Sequence, residues 1–297
     1  MRPAARALST LTAAGFGCVA YGCLVERRWY ALRRVHLDGA LRRPGALTVL
    51  HVSDLHLSDG QEHRVAFLRR LAEEDYDLVV ATGDLVGAAG QEERTAAALA
   101  ELTRRGRPGV AVLGSNDLFG PTPKRPWEYF TDPDRRAHGA PLRTGRFLAL
   151  LADAGYRTLR GEVVCVPSPA GDVALGGFDD PHLGHTVLPA PATVAPPSDA
   201  GAVAHLGVVH SPYRAALDVL VDAGHDVLLA GHTHGGQVRL PGVGALTANC
   251  DLPLAQARGA SRYRGAWLHV SAGLGHSPYA PFRFACRPEA SLLRLTG

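Results

Sequence analysis

A chain of 297 residues, 46% hydrophobic and 20% charged, has enough apolar material to bury a substantial core, which excludes global disorder. Its five cysteines, at 18, 23, 165, 250 and 286, form no CxxC pair, so neither a disulfide framework nor a thiolate zinc site is indicated. The net charge of +3 is uneven: residues 1–43 hold eight arginines against Glu26 and Asp38, and the remainder is net acidic, so no nucleic-acid duplex is expected as a partner.

The first element is an apolar run over 7–25, close to the roughly 20 residues that span a bilayer. Ser9, Thr10, Thr12 and three glycines weaken it, but none is charged. Tyr21 and Leu24 occupy positions where a signal-peptide cleavage site needs small residues, so an uncleaved single transmembrane helix is expected over a cleaved signal. Six arginines (27, 28, 33, 34, 42 and 43) follow the run, while only Arg2 and Arg6 precede it. That bias predicts a cell-membrane protein whose main domain lies on the cytoplasmic side. The chain then divides into a membrane anchor with a basic segment, 1–43, and one domain, 44–297.

In that domain, strands are predicted at 47–53, 77–81 and 110–113, alternating with helices at 63–74 and 92–105. Acids open the second helix, and Arg104, Arg105 and Gly106 close it. Residues 120–143 form a proline-rich basic loop. A helix at 146–154 follows, then strands at 163–166, 173–176 and 203–209. Ser211 as cap and Pro212 in the first turn predict a helix to Val221. Further strands fall at 227–230, 238–240, 267–270 and 291–295. The order predicts an α/β fold, a layered α/β-β/α sandwich with two mixed sheets behind the N-terminal transmembrane helix.

Five β-rich runs end in polar side chains: Asp54 and His56; Asp84; Asn116 and Asp117; His210; and His232 with His234. Strand ends are where open α/β sheets collect ligand groups, and imidazole with carboxylate suits hard-to-borderline divalent cations. On strand periodicity, Asp54 and His56 share a face, as do His232 and His234. Taken singly, each aspartate caps a loop and each histidine is ambiguous; together they point to a metal centre. His51, inside a strand, reads as a core residue. Asp179, Asp180 and His182 read as a solvated turn, or as groups that reach substrate. Lys124, Arg125, Arg135 and Arg136 contact a phosphate or form a solvated loop. Gly231 and Gly235 let the backbone turn beside the histidine pair.

The sequences Asp54-Leu-His56, Gly83-Asp84, Gly114-Ser-Asn-Asp117, His210 and Gly231-His-Thr-His234 resemble, in order, the motifs of the calcineurin-like metallophosphoesterase superfamily. The stretches 273–275 and 283–289 are similar to its membrane-associated branch. The resemblance implies two divalent cations (Mn, Fe, Zn or Co). Asp54, His56 and His234 would bind one, Asn116, His210 and His232 the other, and Asp84 would bridge them. It also implies phosphoesterase activity on a phosphomonoester, phosphodiester or pyrophosphate bond, with a metal-bridging hydroxide as nucleophile. The expected membrane anchor and its flanking arginines point to a lipid- or nucleotide-linked phosphate as substrate, and Asp84, Asn116 and Asp117 are expected as the catalytic residues. The chain departs from the family's Gly-Asn-His-Asp pattern. Without a gap, Ser115 replaces the asparagine ligand; with a one-residue slip, Asn116 keeps that role, which suits a carbonyl oxygen better than a hydroxyl. Either way the usual proton-donating histidine is missing, a group worth about 10²–10⁴-fold. Asp117, His182 or water would have to substitute. The alternative is a metal-binding scaffold of the same fold that has lost turnover.

Overall fold

The computed structural model describes residues 3–123, 139–182, 184, 186–197, 201–276 and 279–297. The basic loop residues Lys124, Arg125, Arg135 and Arg136 lie outside the described residues. Two six-stranded mixed sheets form the centre.

In the first sheet the order is β1 (Ala31–Leu37), β14 (Glu289–Thr296), β2 (Ala46–Val52), β3 (Leu78–Thr82), β4 (Gly109–Val112) and β5 (Tyr156–Thr158). The second runs β12 (Gly259–Tyr263), β13 (Ala266–Val270), β9 (Val227–Ala230), β8 (Ala204–Val208), β7 (Val173–Gly177) and β6 (Glu162–Val166). A small ribbon pairs β10 (Arg239–Leu240) with β11 (Gly244–Ala245).

Strand alternation builds the layers. In β2, Leu47 and Val49 face the second sheet, where they meet Leu175, Leu206, Val208 and Leu229 in one core. Leu50 and Val52 face the other way, into a core with the helices α2 (Glu62–Leu71), α3 (Glu92–Thr103) and, after the short α4 (Ser115–Leu118), α5 (Thr144–Asp153). Helix α6 (Arg214–Asp222) covers the second sheet through Ala216, Leu217 and Leu220. The expected α/β-β/α sandwich is therefore present. His51 is a core residue as expected: it joins the two sheets through His269 (Nδ1–Nδ1 2.9 Å) and reaches Thr82 Oγ1 at 2.9 Å.

The N-terminal expectation is overturned. Helix α1 runs Pro3–Leu24, yet among the described residues no helix is long and apolar enough to cross a membrane. Ser9, Thr10, Thr12 and glycines 15, 17 and 22 dilute the apolar side chains that a hydrocarbon core requires. The transmembrane helix falls, and with it the membrane-associated branch, the membrane as partner, and the cell-membrane placement with its cytoplasmic side. The end of α1 instead docks on the domain. Gly22 packs against Phe282 so closely that a side chain there would overlap its ring, and the Arg283 amide donates to the Gly22 carbonyl at 3.4 Å. Tyr21 meets Phe284 edge-on. Buried Glu26 then accepts from the amides of Ala285 and Cys286, and the basic segment supplies β1, parallel to β14 at the sheet edge.

Other boundaries shift for local reasons. Helix α6 starts at Arg214, not at the Ser211 cap, because Asp251 Oδ1 accepts the Arg214 amide at 2.9 Å and supplies the cap from a distant loop. The edge strands β5 and β12 carry half-exposed polar residues with no period that reads as a strand.

Candidate metal centre

Strands β2, β3 and β4 are mutually parallel, as are β7, β8, β9 and β13. All of their C-terminal ends therefore open on one edge, where the loops at 53–57, 83–87, 113–118, 209–211, 231–236 and 271–276 meet. This geometry brings Asp54, His56, Asp84, His210 and His234 together. Asp54, His56 and His234 offer ligand atoms within 4.8 Å of one another, and so do Asp54, Asp84 and His210. Asp84 Oδ2 lies 3.6 Å from His56 Nε2 and 3.5 Å from His210 Nε2, while Asp54 Oδ1 lies 3.7 Å from His234 Nε2.

Strand alternation does not orient these pairs. Asp54, His56, Asp84, His232 and His234 all lie past their strands with left-handed φ of 49°, 41°, 51°, 68° and 49°. Such conformations cost energy outside glycine and persist where surrounding contacts over-determine them, which is characteristic of functional sites. The contacts are present here. Asp54 accepts the His232 amide on both oxygens (3.2 and 3.1 Å) and the Ser53 hydroxyl at 2.6 Å. The close approach requires Gly231, where a Cβ would fall on Ser53 Oγ. Thr233, between the histidines, turns away to donate to the Ala257 carbonyl at 2.7 Å.

Two fully buried arginines hold the loops, and sequence reasoning missed both as site residues. Arg64 donates to the carbonyls of Leu55 and His56, and Arg283 to those of Ala272 and Gly275. Arg283 also lies 3.3 Å from His234 Nδ1. The signal for Arg64 was a charge placed on the apolar stripe of its helix beside Phe67, Leu68 and Leu71.

The donor atoms fit cations. Among the described residues, both ring nitrogens of His56 and Nε2 of His210 are buried without a hydrogen-bond partner, which in a native interior signals a missing ligand. His210 Nδ1 donates to the Thr82 carbonyl at 2.6 Å, which leaves Nε2 as the ring atom aimed at Asp84. Burial, against which Asp84 works, lowers His56 to about 4, so it stands neutral and ready to ligate at pH 7. Burial likewise raises Asp54 to about 6. Burial opposes charge on His210 and Asp84 as well, yet their mutual attraction outweighs it, holding the imidazole well above and the carboxyl well below their ordinary ranges.

The remaining expected residues divide. Asn116 reaches Asp84: its amide N–H donates to Oδ1 at 2.8 Å and its side chain to Oδ2 at 2.6 Å. Ser115 instead donates to Asp180, through both hydroxyl and amide. Asp117 is buried with both oxygens accepting backbone amides, Leu85 and Val86 on Oδ1 and Gly114 on Oδ2. It holds the Asp84 loop against α4 as a positioning residue; burial, then the Asp84 charge, pushes it up to about 7. His232 lies outside both close groups, its Nε2 3.1 Å from the Asn249 carbonyl. Asn249 gave no sequence signal. Asp180, expected in a solvated turn, is 2% exposed, because the Ser115 donors and the His182 amide draw it inward.

A family model described as calcineurin-like phosphoesterase matches residues 47–236, well over half the chain. The chain belongs to the calcineurin-like phosphoesterase family. It is 26% identical over 304 residues to the phosphodiesterase YaeI of Escherichia coli (strain K12), covering 98% of this chain and 96% of that one. It is 28% identical over 258 residues to an uncharacterised metallophosphoesterase of Aquifex aeolicus (84% and 85% covered). Over 249 residues it is 26% identical to the metallophosphoesterase YkoQ of Bacillus subtilis (82% of each). In this calcineurin-like phosphoesterase, the His/Asp groups form a binuclear divalent-metal site, and the chain is a two-metal-dependent hydrolase of phosphate esters.

Proposed function

We propose that this phosphoesterase cleaves phosphodiesters, with Asp84 bridging two cations. Asp54, His56 and His234 would hold one cation, and Asn116, His210 and His232 the other. The observation that carries the assignment is Asp84 Oδ2, placed 3.6 and 3.5 Å from one imidazole of each group. Cations held by these residues would supply charge neutralisation at the phosphoryl oxygens and an acidified water as nucleophile.

The chain's own groups do the positioning. Arg64 fixes the loop that carries His56, and Arg283 fixes the 272–275 loop with a guanidinium nitrogen 3.3 Å from His234 Nδ1. Asp117 fixes the turn that aims Asp84, and Asn116 brings an amide to the same carboxylate. Ser115 and Asn116 leave no imidazole where the family pattern has one, so the leaving-group proton comes from solvent and good leaving groups are favoured. The name of the Escherichia coli relative supports the diester.

The test uses the full chain with Mn²⁺, measuring release of p-nitrophenol from the mono- and bis-esters of phosphate. Faster cleavage of the bis-ester is expected. Failure to cleave either ester would overturn the proposal.

A further inference from the structure

Beside the metal centre, a cleft of about 410 Å³ opens between Pro181, His182, Gly184 and Leu188 on one side and the start of α6 on the other. That volume lies in the range of small-molecule sites, about 300–1,000 Å³. Pro181, His182, Leu188, Tyr213, Ala215 and Asp251 line it. Its wall is an aromatic step. The His182 and Tyr213 rings lie 16° from parallel with centroids 5.9 Å apart, locked by a 2.7 Å contact between His182 Nδ1 and the Tyr213 hydroxyl. His182 continues to the ring of His232, 4.3 Å between centroids, so the step leads directly to the metal centre.

The charge of the lining narrows the occupant. Among the described residues that line the cleft there is one carboxylate, Asp251, and no lysine or arginine. A second phosphate would be repelled there, because anionic groups need cationic or N–H donors. An uncharged planar group can stack on the step, bury its faces against Leu188 and Ala215, and turn N–H donors towards Asp251.

We infer that this cleft receives the ring of a nucleoside-type organic group, while the phosphoryl group it carries sits at the metals. The inference rests on the phosphodiesterase reading and narrows its substrate class. Stacking of a base on aromatic side chains increases affinity by about tenfold or more.

The experiment is calorimetric titration of the Mn²⁺-loaded full chain with non-hydrolysable phosphonate analogues of adenosine 5′-phosphate and glycerol 3-phosphate. The adenosine compound should bind at least about tenfold more tightly. That preference should collapse in Tyr213→Ala, which removes half the step, and in Ala215→Leu, which fills the cleft from an exposed helix position. Melting curves establish that each variant folds, and Ala215→Leu keeps the test alive if Tyr213→Ala does not. Equal affinity of the two analogues for the unmodified chain would overturn the inference, as would a preference that survives Ala215→Leu. Because binding is read without turnover, inactivity towards every ester would count against the phosphodiesterase reading while the cleft is still judged by the affinity ratio.

Discussion

The inner and outer halves of the metal centre are built on different principles. Asp54, His56, Asp84 and His210 are all at most 4% exposed, and the imidazoles of His56 and His210 carry buried nitrogens without a hydrogen-bond partner. On the outer side, His232 Nε2 already faces the Asn249 carbonyl, and His182 is already locked to Tyr213. A buried unsatisfied donor set costs stability until a cation fills it, whereas a satisfied one must exchange hydrogen bonds to ligate. The inner half is therefore committed to metal, and the outer half is where affinity and substrate contact can be adjusted.

The largest effect should come from Asp84→Asn, which removes the inner-half carboxylate proposed to bridge the two cations. Loss of the several kcal/mol that metal catalysis supplies predicts a fall in kcat of about 10²–10³-fold or more. Isothermal metal titration should show Mn²⁺ stoichiometry falling below two; full activity with two ions bound would erase the distinction between the halves. Next, Arg283→Met removes a fully buried guanidinium that donates to the Ala272 and Gly275 carbonyls. Leaving those buried carbonyls without their donor costs about 1–3 kcal/mol each, readable as a lowered urea midpoint, and inner-site metal affinity should fall with it.

A control outside both halves is His225, which burial lowers to about 4 against a hydrogen bond to the Val194 carbonyl. The unfolded chain binds the proton that the folded chain refuses. Stability from this residue is therefore intact above about pH 6.5 and is lost progressively as pH falls from 6.5 towards 4, by about 3 kcal/mol in all. The metal-free His225→Gln variant should show a shallower acid slope in urea midpoints; an unchanged slope would place the titration in the metal centre instead. The smallest effect should come from Asn249→Gly, which keeps the left-handed φ of 52° accessible while removing the amide beside His232. Losing one competing hydrogen bond of about 0.5–1.5 kcal/mol should tighten the weaker Mn²⁺ site several-fold. Weaker binding would show that Asn249 assists ligation.

How much of this was legible depends on whether a signal is local. The donor residues were legible because each follows a β-rich run, and the layered sandwich because buried strands and helices alternate. The pairing of Asp54 with His56 was anticipated from strand periodicity, yet the structure achieves it with left-handed turns, a conformation that no spacing rule encodes. The apolar run at the N-terminus read as a bilayer span. Its end instead packs through Gly22 onto Phe282, a contact between segments some 260 residues apart.

The order of residues by itself determined which chemistry is possible: imidazoles and carboxylates at strand ends, no thiolate pair, and a missing histidine after Gly114. Only the tertiary structure decided that Asn116 meets Asp84 while Ser115 turns to Asp180. It alone decided that Asp117 clamps backbone amides, and that Arg64 and Arg283 support the loops from within. Those outcomes depend on which distant atoms occupy the neighbouring space. Hydrogen-bond partners for buried groups are settled by three-dimensional packing, not by residue type.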